Sequence, residues 1–547
     1  MIALIAIALG NDPVMDGLAA ELDRSMAELS LPDSPAPYFI SYRLEDGWNA
    51  NIRASLGGIV SEATQPERNL GVEVRVGSES YDSSNFQAGF GSEDGHVERA
   101  LVIADHELAI RSDAWLASDQ AYKDAVSNLS AKEAADGRRA EVDPTPDFAP
   151  GLPSEFSAPP AERPDLARYR ELATRVSMRF LEHPDIELSS VSIVAFGGRY
   201  SVIDSGGTRV QMPLSRVDIA LSAQTRAPNG ERIIDQRKFH LRDLDDLDDL
   251  GKLDAAADEL AASLEAWQAA QPLESPYIGP LLIEPYASPV LFRELALPSL
   301  VGTPAADRPN KGSRFLNVRN DSPKVLGLKR RLLPIGWSIV DDPLSSPRSP
   351  ASFTHDEEGV PAHRVELVSD GIIRSHYASQ TPSKSVPQSN GHARGRLGSL
   401  LRGAPSIAVV SAPRTASARK LHKTAMSITR TYDNDHYLVV RRFRDPSGDS
   451  GIQLGSAKRS ALSDASILVR VYSDGREELV RGATIDGLQR RSLRDIVAAG
   501  AAGTETFHWN SDPIQVTAPA VLIDEVEVRP TEESAEKPPP LASPLAR

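Results

Sequence analysis

The sequence predicts an α+β protein, with a mixed helix and strand N-terminal domain followed by a β-rich C-terminal domain. The chain has 547 residues, more than one hydrophobic core normally serves, so two or more domains are expected. Up to about residue 275, helical spacing and strand alternation are interleaved. Beyond Pro276 most patterned segments are strands separated by turns, and we place the domain boundary there.

The N-terminal domain is predicted to span residues 11–275. It begins with a helix, because Asn11 and Asp12 precede Pro13 and apolar residues then recur every three or four positions. Alternation and turn residues predict the elements that follow. These are strands over 38–44 and 70–76, a helix over 96–134, a helix over 169–180 and a hairpin that turns at Gly206 and Gly207.

Three segments flank or interrupt these elements. Residues 143–164 contain seven prolines and predict an exposed loop or linker. Residues 1–10 are either the remnant of a signal peptide or a first strand, because the apolar run is short and lacks a basic flank. The C-terminal domain is expected to cover residues 276–530, and residues 531–547 form a proline-rich tail.

Composition excludes several classes of function. The net charge of −16 repels a phosphate backbone, and the short basic run at 329–331 reads as a solvated segment, so no nucleic-acid partner is expected. The absence of cysteine excludes disulfides, thiolate ligands and a cysteine nucleophile. No apolar run approaches the roughly 20 residues that cross a bilayer, so we expect a soluble chain without a membrane span.

The densest set of possible metal ligands lies in the stretch SFTHDEEGVPAHRVELVSDGII, residues 352–373. Nine positions hold five such residues, which are His355, Asp356, Glu357, Glu358 and His363. They would suit a divalent metal if they converged. The pattern instead predicts a hairpin with turns near Gly359 and Gly371, in which alternation spreads the carboxylates over both faces. We expect no metal here, and His355 and His363 remain the candidates for a two-histidine site.

Other catalytic patterns are missing or incomplete. The sequence contains no G-x-S-x-G, no P-loop and no G-x-G-x-x-G after a strand. His106 and Glu107 form an H-E pair with no further ligand one turn on, and we expect them on an exposed helix face. Several histidines could act as bases, although no nucleophile is placed beside them. They are His376, His392, His422, His436 and His508.

A longer string, SIVDDPLSSPRSPASFTHDEEGVPAHRVELVSDGII, resembles the TldD/PmbA family. There a D-D pair, a D-E-G-V-P-type turn, an L-V-x-x-G-x-L strand pair and an S-x-G-x-A-R element follow in this order. The last element has its counterpart at residues 389–394. The segment YIGPLLIEPYASPVLF, at 277–292, looks like the family's Y-x-G-P-V-L-F start of the C-terminal domain. The order and spacing of these motifs make the resemblance specific, and it covers most of the chain.

The resemblance implies metal-dependent peptide hydrolysis. In the catalytic branch, a helical H-E-x-x-x-H and a later cysteine hold zinc, and a glutamate acts on the bound water. This sequence contains neither the motif nor a cysteine. Alignment on the Y-x-G-P-L-L start places Arg293 and Pro298 at the two histidine positions and retains only Glu294. Catalytic residues are therefore unknown, and no cofactor is expected in the chain itself, with zinc coming only from a partner subunit.

We interpret the chain as a PmbA-type, metallopeptidase-related pseudoenzyme that serves as a non-catalytic partner subunit in peptide proteolysis. Its expected partners are a homologous subunit that carries H-E-x-x-x-H, or a second copy of itself, together with a peptide substrate. Two alternatives stay open. One is an active metallohydrolase with a site rebuilt from His355, His363 and nearby carboxylates, and the other is a free-standing peptide-binding module. The resemblance implies a cytoplasmic location, whereas a signal peptide at residues 1–10 would imply export.

Overall fold

A computed structural model of the chain describes residues 12–87, 95–138, 143–304, 306–307, 326–443, 465–486, 488–510, 512–531, 541 and 543–545. The two interpretations of residues 1–10 fall outside these ranges, as does most of the proline-rich tail. No helix in the described part of the chain has the length and apolar character that a bilayer crossing needs.

The N-terminal domain is built on long antiparallel strands. Its strands are β1 (Pro37–Ser55), β2 (Gly58–Ser78), β3 (Tyr81–Asp82), β4 (His96–Ala100), β5 (Glu155–Ser157), β6 (Leu188–Asp204), β7 (Arg209–Arg226) and β8 (Arg232–Leu241). They form one sheet in the order β3-β2-β1-β6-β7-β5, with β4 paired to β2 and β8 paired to β7. Among these described pairs only the short β5 runs parallel to its neighbour. Strand β8 pairs only with β7 in the described residues and therefore forms an edge of the sheet.

Four helices cover different ends of this sheet. They are α1 (Pro13–Glu28), α2 (Glu107–Asp136), α3 (Leu166–Met178) and α4 (Gly251–Ala269). Helices α1 and α2 pack against β1 and β2 around Met15, Ile40 and Val74. Helices α3 and α4 pack against β6 and β7 around Leu172 and Leu260. Apolar residues at helical spacing therefore meet alternating strand residues, which is the arrangement that the sequence pattern predicts.

The C-terminal domain is mostly strand. Its elements are β9 (Gln271–Pro272), β10 (Tyr277–Ile283), α5 (Ser288–Leu295), β11 (Ser338–Asp341), β12 (Val365–Ser369), β13 (Ile372–Ile373), β14 (Ala393–Arg394), β15 (Arg402–Gly403), β16 (Ile407–Ser411), α6 (Ala418–Thr429), β17 (His436–Phe443), β18 (Ala465–Tyr472), β19 (Glu477–Arg481), β20 (Ala483–Asp486), β21 (Ile496–Trp509) and β22 (Asp512–Pro530). Within the described residues, a twelve-stranded sheet has the order β13-β12-β11-β16-β22-β10-β17-β18-β19-β9, and β20 and β21 both pair with β22. The α+β prediction is confirmed.

Several local predictions are also confirmed. Helix α1 begins after Asp12, whose carboxylate accepts a hydrogen bond from Met15 N at 3.2 Å. Gly207, Gly359 and Gly371 all have positive φ, at 97°, 77° and 70°, as the predicted turns require.

One prediction is wrong in detail. The helix predicted over 96–134 begins only at Glu107, because residues 96–100 form β4 and pair with β2. Residues 143–164 are mostly exposed, although Phe148 is buried and the short β5 within the segment pairs with β7. The segment also crosses the sheet at Gly197, where a Cβ would lie 1.9 Å from the carbonyl oxygen of Glu162. Its prolines therefore shape a loop that is packed onto the domain.

Candidate functional site at the domain seam

One of the regions in which the two domains meet lies between two edge strands, β8 and β21. Within the described residues, β8 pairs only with β7, and β21 pairs only with β22. The Asp218 side chain on β7 reaches His508 on β21, with 3.2 Å between Oδ1 and Nε2. We call this junction, formed by β7, β8 and β21, the domain seam.

Asp218, His240 and His508 converge at the domain seam although they are distant in sequence. Asp218 and His240 are directly opposed on β7 and β8, and His240 Nδ1 lies 2.7 Å from Asp218 Oδ1. The His240 and His508 ring centroids are 4.2 Å apart. One ligand atom from each of the three residues lies within 4.8 Å of the others. We call this group the seam triad, and it has the dimensions of a metal site.

The Asp218 carboxylate is held in its charged form. Burial would raise its pKa, but hydrogen bonds and charge interactions with His240 and His508 outweigh burial and hold the pKa well below its ordinary value. The side chain is 28% exposed, so water reaches it. Asp218 is therefore an anion at neutral pH that can compensate a positive charge on a histidine or on a bound cation.

A second charged group crosses the domain seam. It contains Asp235 and Arg237 on β8, Arg442 on β17 and Glu505 on β21, and Arg237 Nη1 lies 2.6 Å from Asp235 Oδ2. Burial raises the pKa of Glu505 to about 6, although Arg442 and Arg237 act in the opposite direction. Burial and the nearby Arg237 lower the pKa of Arg442. Asp235 and Arg237 compensate each other on β8, and the influence of Arg237 on Glu505 and Arg442 links the charges of the two domains.

The two edges at the domain seam differ in how open their backbones are. On β8, Gln236 N donates to Asp235 Oδ1 at 2.9 Å, and Gln236 O accepts from Arg237 Nη1 at 3.0 Å. These bonds use backbone groups that an added strand would need. No strand pairs with the second edge of β21 within the described residues.

Two backbone carbonyls of β21 are nevertheless engaged. Ala416 N donates to Ala499 O at 2.7 Å, and Arg293 Nη2 donates to His508 O at 2.9 Å. An added extended chain would therefore pair with β21 between Ala499 and His508.

Helix α5 lies beside the domain seam and carries the residues aligned with the family's zinc motif. Arg293 Nη2 donates to the His508 carbonyl at 2.9 Å, and Arg293 Nη1 lies 3.3 Å from Glu294 Oε1. The helix ends before Pro298, which lies in a following 3-10 turn. A guanidinium, a proline and a single carboxylate do not make a zinc donor set. The family's metal therefore does not fit these residues.

The hairpin of residues 352–373 does not bring its histidines together as ligands. His355 pairs with Pro361 across the turn, and its ring lies 4.8 Å from that of Phe156 in the N-terminal domain. His363 is exposed. Neither histidine belongs to a group of three possible ligands within the described residues. The absence of a metal at this hairpin stays a prediction.

The three carboxylates of the hairpin turn accept hydrogen bonds from different parts of the backbone. Asp356 accepts from three amides, whereas Glu357 and Glu358 accept from one each. The donors are Glu358, Val360 and Ala393 for Asp356, Gly395 for Glu357, and Gln380 for Glu358. The carboxylates thus fasten neighbouring loops to the hairpin.

Glu357 also connects the hairpin to both domains. Arg394 Nε lies 3.3 Å from Glu357 Oε1, and Arg394 Nη2 lies 3.2 Å from Asp512 Oδ1. The Tyr200 hydroxyl donates to the Glu357 carbonyl at 3.2 Å. Burial and the Asp512 carboxylate raise the pKa of Glu357 well above its ordinary value, and Arg394 opposes them. Arg394 thus joins the two acids in a largely buried trio of Glu357, Arg394 and Asp512, which is a structural anchor.

The remaining histidines singled out in the sequence have local structural partners. His376 is buried, with Nδ1 2.8 Å from Ser385 Oγ and Nε2 2.7 Å from the Leu326 carbonyl. His106 caps α2 by accepting from Ala109 N. The others are His392 near Asp341, His422 beside Tyr437 and His436 beside Asp435. Of the five histidines proposed as bases, His508 is the one that reaches the domain seam.

Sequence reasoning missed Asp218 and His240. The turn at Asn229 and Gly230 sets the register of the β7–β8 hairpin, in which Arg226 pairs with Arg232 and Asp218 with His240. Counting outward from that turn would have paired the two residues. No local signal would have added His508, because its approach depends on the packing of one domain against the other.

The fold and the domain seam define a two-domain α+β protein with polar groups gathered between its domains. Residues 279–530 match the PmbA/TldA metallopeptidase C-terminal domain. This part of the chain therefore carries the C-terminal domain of the TldD/PmbA family, in agreement with the sequence resemblance. A comparison with curated protein sequences gives no significant match.

Solved structures share the fold over nearly the whole chain. A proposed modulator of DNA gyrase from Bacteroides thetaiotaomicron is 13% identical, with a TM-score of 0.59, and the match covers 95% of this chain and 99% of that one. A proposed modulator of DNA gyrase from Thermotoga maritima is 14% identical, with a TM-score of 0.58 and coverage of 93% and 99%. TldE from Thermococcus kodakarensis is 12% identical, with a TM-score of 0.57 and coverage of 94% and 100%.

Proposed function

We propose that this chain is a non-catalytic, peptide-binding subunit of the TldD/PmbA type that works with a homologous subunit carrying H-E-x-x-x-H. The observation that carries the proposal is that β21 has an edge with no paired strand in the described residues, and that this edge lies beside α5, which lacks zinc ligands. The open edge supports peptide binding, and the composition of α5 supports the absence of catalysis in this chain.

Peptide binding would use the backbone of β21. An extended peptide can add to a free strand edge through main-chain hydrogen bonds, which give affinity for many sequences. The domain seam would supply side-chain selectivity, since Arg442 and Glu505 place charges of both signs near this edge. We therefore expect extended, unstructured peptides to bind, and folded proteins to bind poorly.

Catalysis would come from the partner subunit. Peptide hydrolysis in this family depends on a metal that lowers the pKa of water and polarises the carbonyl. On α5, Arg293 is engaged by Glu294 and by the His508 carbonyl, so the one retained acid lies against a cation where the motif calls for zinc. A guanidinium cannot generate hydroxide from water. We expect the partner to be a homologous subunit that carries H-E-x-x-x-H. A dimer of two copies of this chain is the alternative assembly to be tested.

Three samples test this proposal: this chain, a homologous subunit that carries H-E-x-x-x-H, and their mixture. Gel filtration measures complex formation, fluorescence anisotropy measures binding of a labelled unstructured peptide, and mass spectrometry measures cleavage. We expect this chain alone to bind the peptide without cleaving it. The mixture should form a complex that cleaves faster, or at different bonds, than the partner alone.

A matched pair of substitutions separates the roles of the two subunits. Glu294→Gln in this chain should leave cleavage by the mixture unchanged, whereas the same substitution at the partner's motif glutamate should abolish it. Loss of cleavage with Glu294→Gln would make this chain catalytic. Peptide binding by a chain that forms no complex would support a free-standing binding module instead, and chelator-sensitive hydrolysis by the isolated chain would support an active metallohydrolase.

A further inference from the structure

We propose that Asp218, His240 and His508 bind one divalent transition-metal ion, for which zinc is the best match, and that this ion joins the two domains. The site is separate from the α5 residues aligned with the family motif. It does not depend on the proposed partner function. The expectation that the chain holds no cofactor rested on α5 and on the missing cysteine, and the seam triad uses neither.

The spacing of the seam triad is close to that of a bound metal. A tetrahedral ion with bonds near 2.05 Å separates its ligand atoms by about 3.4 Å. His508 Nε2 and Asp218 Oδ1 are 3.2 Å apart, which already approaches that value. His240 Nδ1 and Asp218 Oδ1 are 2.7 Å apart, so this pair would open by about 0.7 Å on that estimate. A side-chain adjustment of this size needs no change in strand register.

The donor set indicates the kind of ion. Two imidazole nitrogens and one carboxylate oxygen suit zinc and its neighbours in the first transition series, whereas calcium and magnesium prefer sites made of oxygen. Three protein ligands leave a fourth position for water. The partial exposure of Asp218 and His508, at 28% and 25% of their side chains, gives an ion a path to the site.

The elements around the seam triad hold its ligands in place. Asp218 and His240 are neighbours on paired strands, so the sheet fixes two ligands relative to each other. Arg293 donates to the His508 carbonyl and so restrains the third. Because two ligands belong to the N-terminal domain and one to the C-terminal domain, a bound ion would resist separation of the domains. The ion would act as a clamp at the same junction that carries the β21 edge.

A metal-free arrangement is the competing explanation. Both histidines can donate N–H bonds to Asp218 in the absence of an ion, which would make the triad a hydrogen-bonded cluster only. The two explanations differ in a measurable way. A cluster binds no metal, whereas the proposed site binds one ion per chain and loses it when a ligand is removed.

The experiment uses the full-length chain, stripped with a chelator and dialysed. Zinc chloride is titrated by calorimetry, and cobalt chloride is titrated in parallel while visible absorption reports a low-symmetry metal site. We expect one zinc per chain and a cobalt spectrum that zinc abolishes. His508→Gln should weaken zinc binding more than about 100-fold, because loss of even a supporting residue commonly costs 10–100-fold.

A matched control uses a histidine and aspartate pair that lies outside the domain seam. His436 Nδ1 lies 2.6 Å from Asp435 Oδ1, and neither belongs to a triad in the described residues. His436→Gln should therefore leave zinc binding unchanged. Circular dichroism of both variants shows whether they fold, and Asp218→Asn provides a second ligand variant on the other domain.

The proposal is overturned if the stripped wild-type chain shows no saturable zinc binding, or if His508→Gln and Asp218→Asn both bind zinc like the wild type. Failure of the proposed function has a different signature. Peptide cleavage by the zinc-loaded chain alone, lost on adding chelator, would contradict the non-catalytic role while leaving the metal site intact. One zinc per chain without cleavage would agree with both proposals.

Discussion

The hairpin at residues 352–373 and the domain seam show opposite relations between sequence and site. The hairpin concentrates His355, His363 and three carboxylates in nine positions, yet its side chains turn to separate backbone partners. The seam triad draws three residues from distant strands onto one point. In this protein, the segment with the most possible ligands along the chain is a turn that its own carboxylates hold together. The group with the spacing of a metal site is instead assembled by strand pairing and by contact between the domains.

The strongest test of the structural role of the hairpin is the loss of its buried cation. Arg394→Met leaves Glu357 and Asp512 without their shared partner, and breaking a buried ion pair costs about 3–5 kcal/mol. Urea unfolding at neutral pH should show a loss of that size. Arg441 pairs with Glu477 at 2.7 Å on the surface, and Arg441→Met should cost less than about 1 kcal/mol. Equal losses of unfolding free energy in the two variants would show that the Arg394 trio contributes no more than a surface ion pair.

A smaller effect is expected from Gly359 in the turn. Gly359→Ala forces a side chain onto a residue with φ of 77° and places its Cβ 2.6 Å from Thr208 Cγ2 of the N-terminal domain. We expect a loss of about 2–3 kcal/mol, combining backbone strain with the clash. Gly475 has a φ of 86°, but a Cβ added there would meet nothing within 4 Å. Gly475→Ala should therefore cost only about 1 kcal/mol, from backbone strain alone.

The domain seam predicts a pH effect through Glu505. Its pKa is raised to about 6 from 4.5, chiefly by burial, so the folded chain holds the proton more tightly than the unfolded chain. This contribution to stability is present below about pH 4.5 and is lost as the pH rises through about 6. Glu505→Gln should flatten the pH dependence of unfolding in that window and stabilise the chain at pH 7 by on the order of 1–2 kcal/mol. If the free energy of unfolding of Glu505→Gln changed with pH as steeply as that of the wild type, the raised pKa of Glu505 would be contradicted.

The smallest effect is expected from the two hairpin histidines. His355→Asn combined with His363→Asn should change the free energy of unfolding by no more than about 0.5 kcal/mol, as is typical of surface positions. Zinc affinity and peptide affinity should not change. A variant that loses zinc would move the metal site from the seam triad to the hairpin and reverse the comparison.

Much of the fold could be predicted from periodicity and turn residues. Asp12 before Pro13 marked α1, and Gly207, Gly359 and Gly371 marked three turns because only a few residues accept their positive φ. The region of the domain seam could be predicted only in part. Glu294 on α5 was identified through the resemblance, whereas Asp218 and His240 were missed. Strand β4 was missed because its pairing with β2 depends on tertiary context. His508 was noted as a possible base, but its partners belong to another domain, and no pattern within one segment encodes such a contact.

The most direct test of the central claim is hydrogen exchange, measured by mass spectrometry, on the free chain and on the chain saturated with an unstructured peptide. The claim is that the domain seam, rather than the hairpin, is where this protein binds its ligand. Added main-chain hydrogen bonds slow amide exchange on the strand that receives them. We predict slower exchange in residues 496–509 of β21, with little change at residues 352–373. Protection confined to the hairpin, with β21 exchanging at its free rate, would contradict the claim.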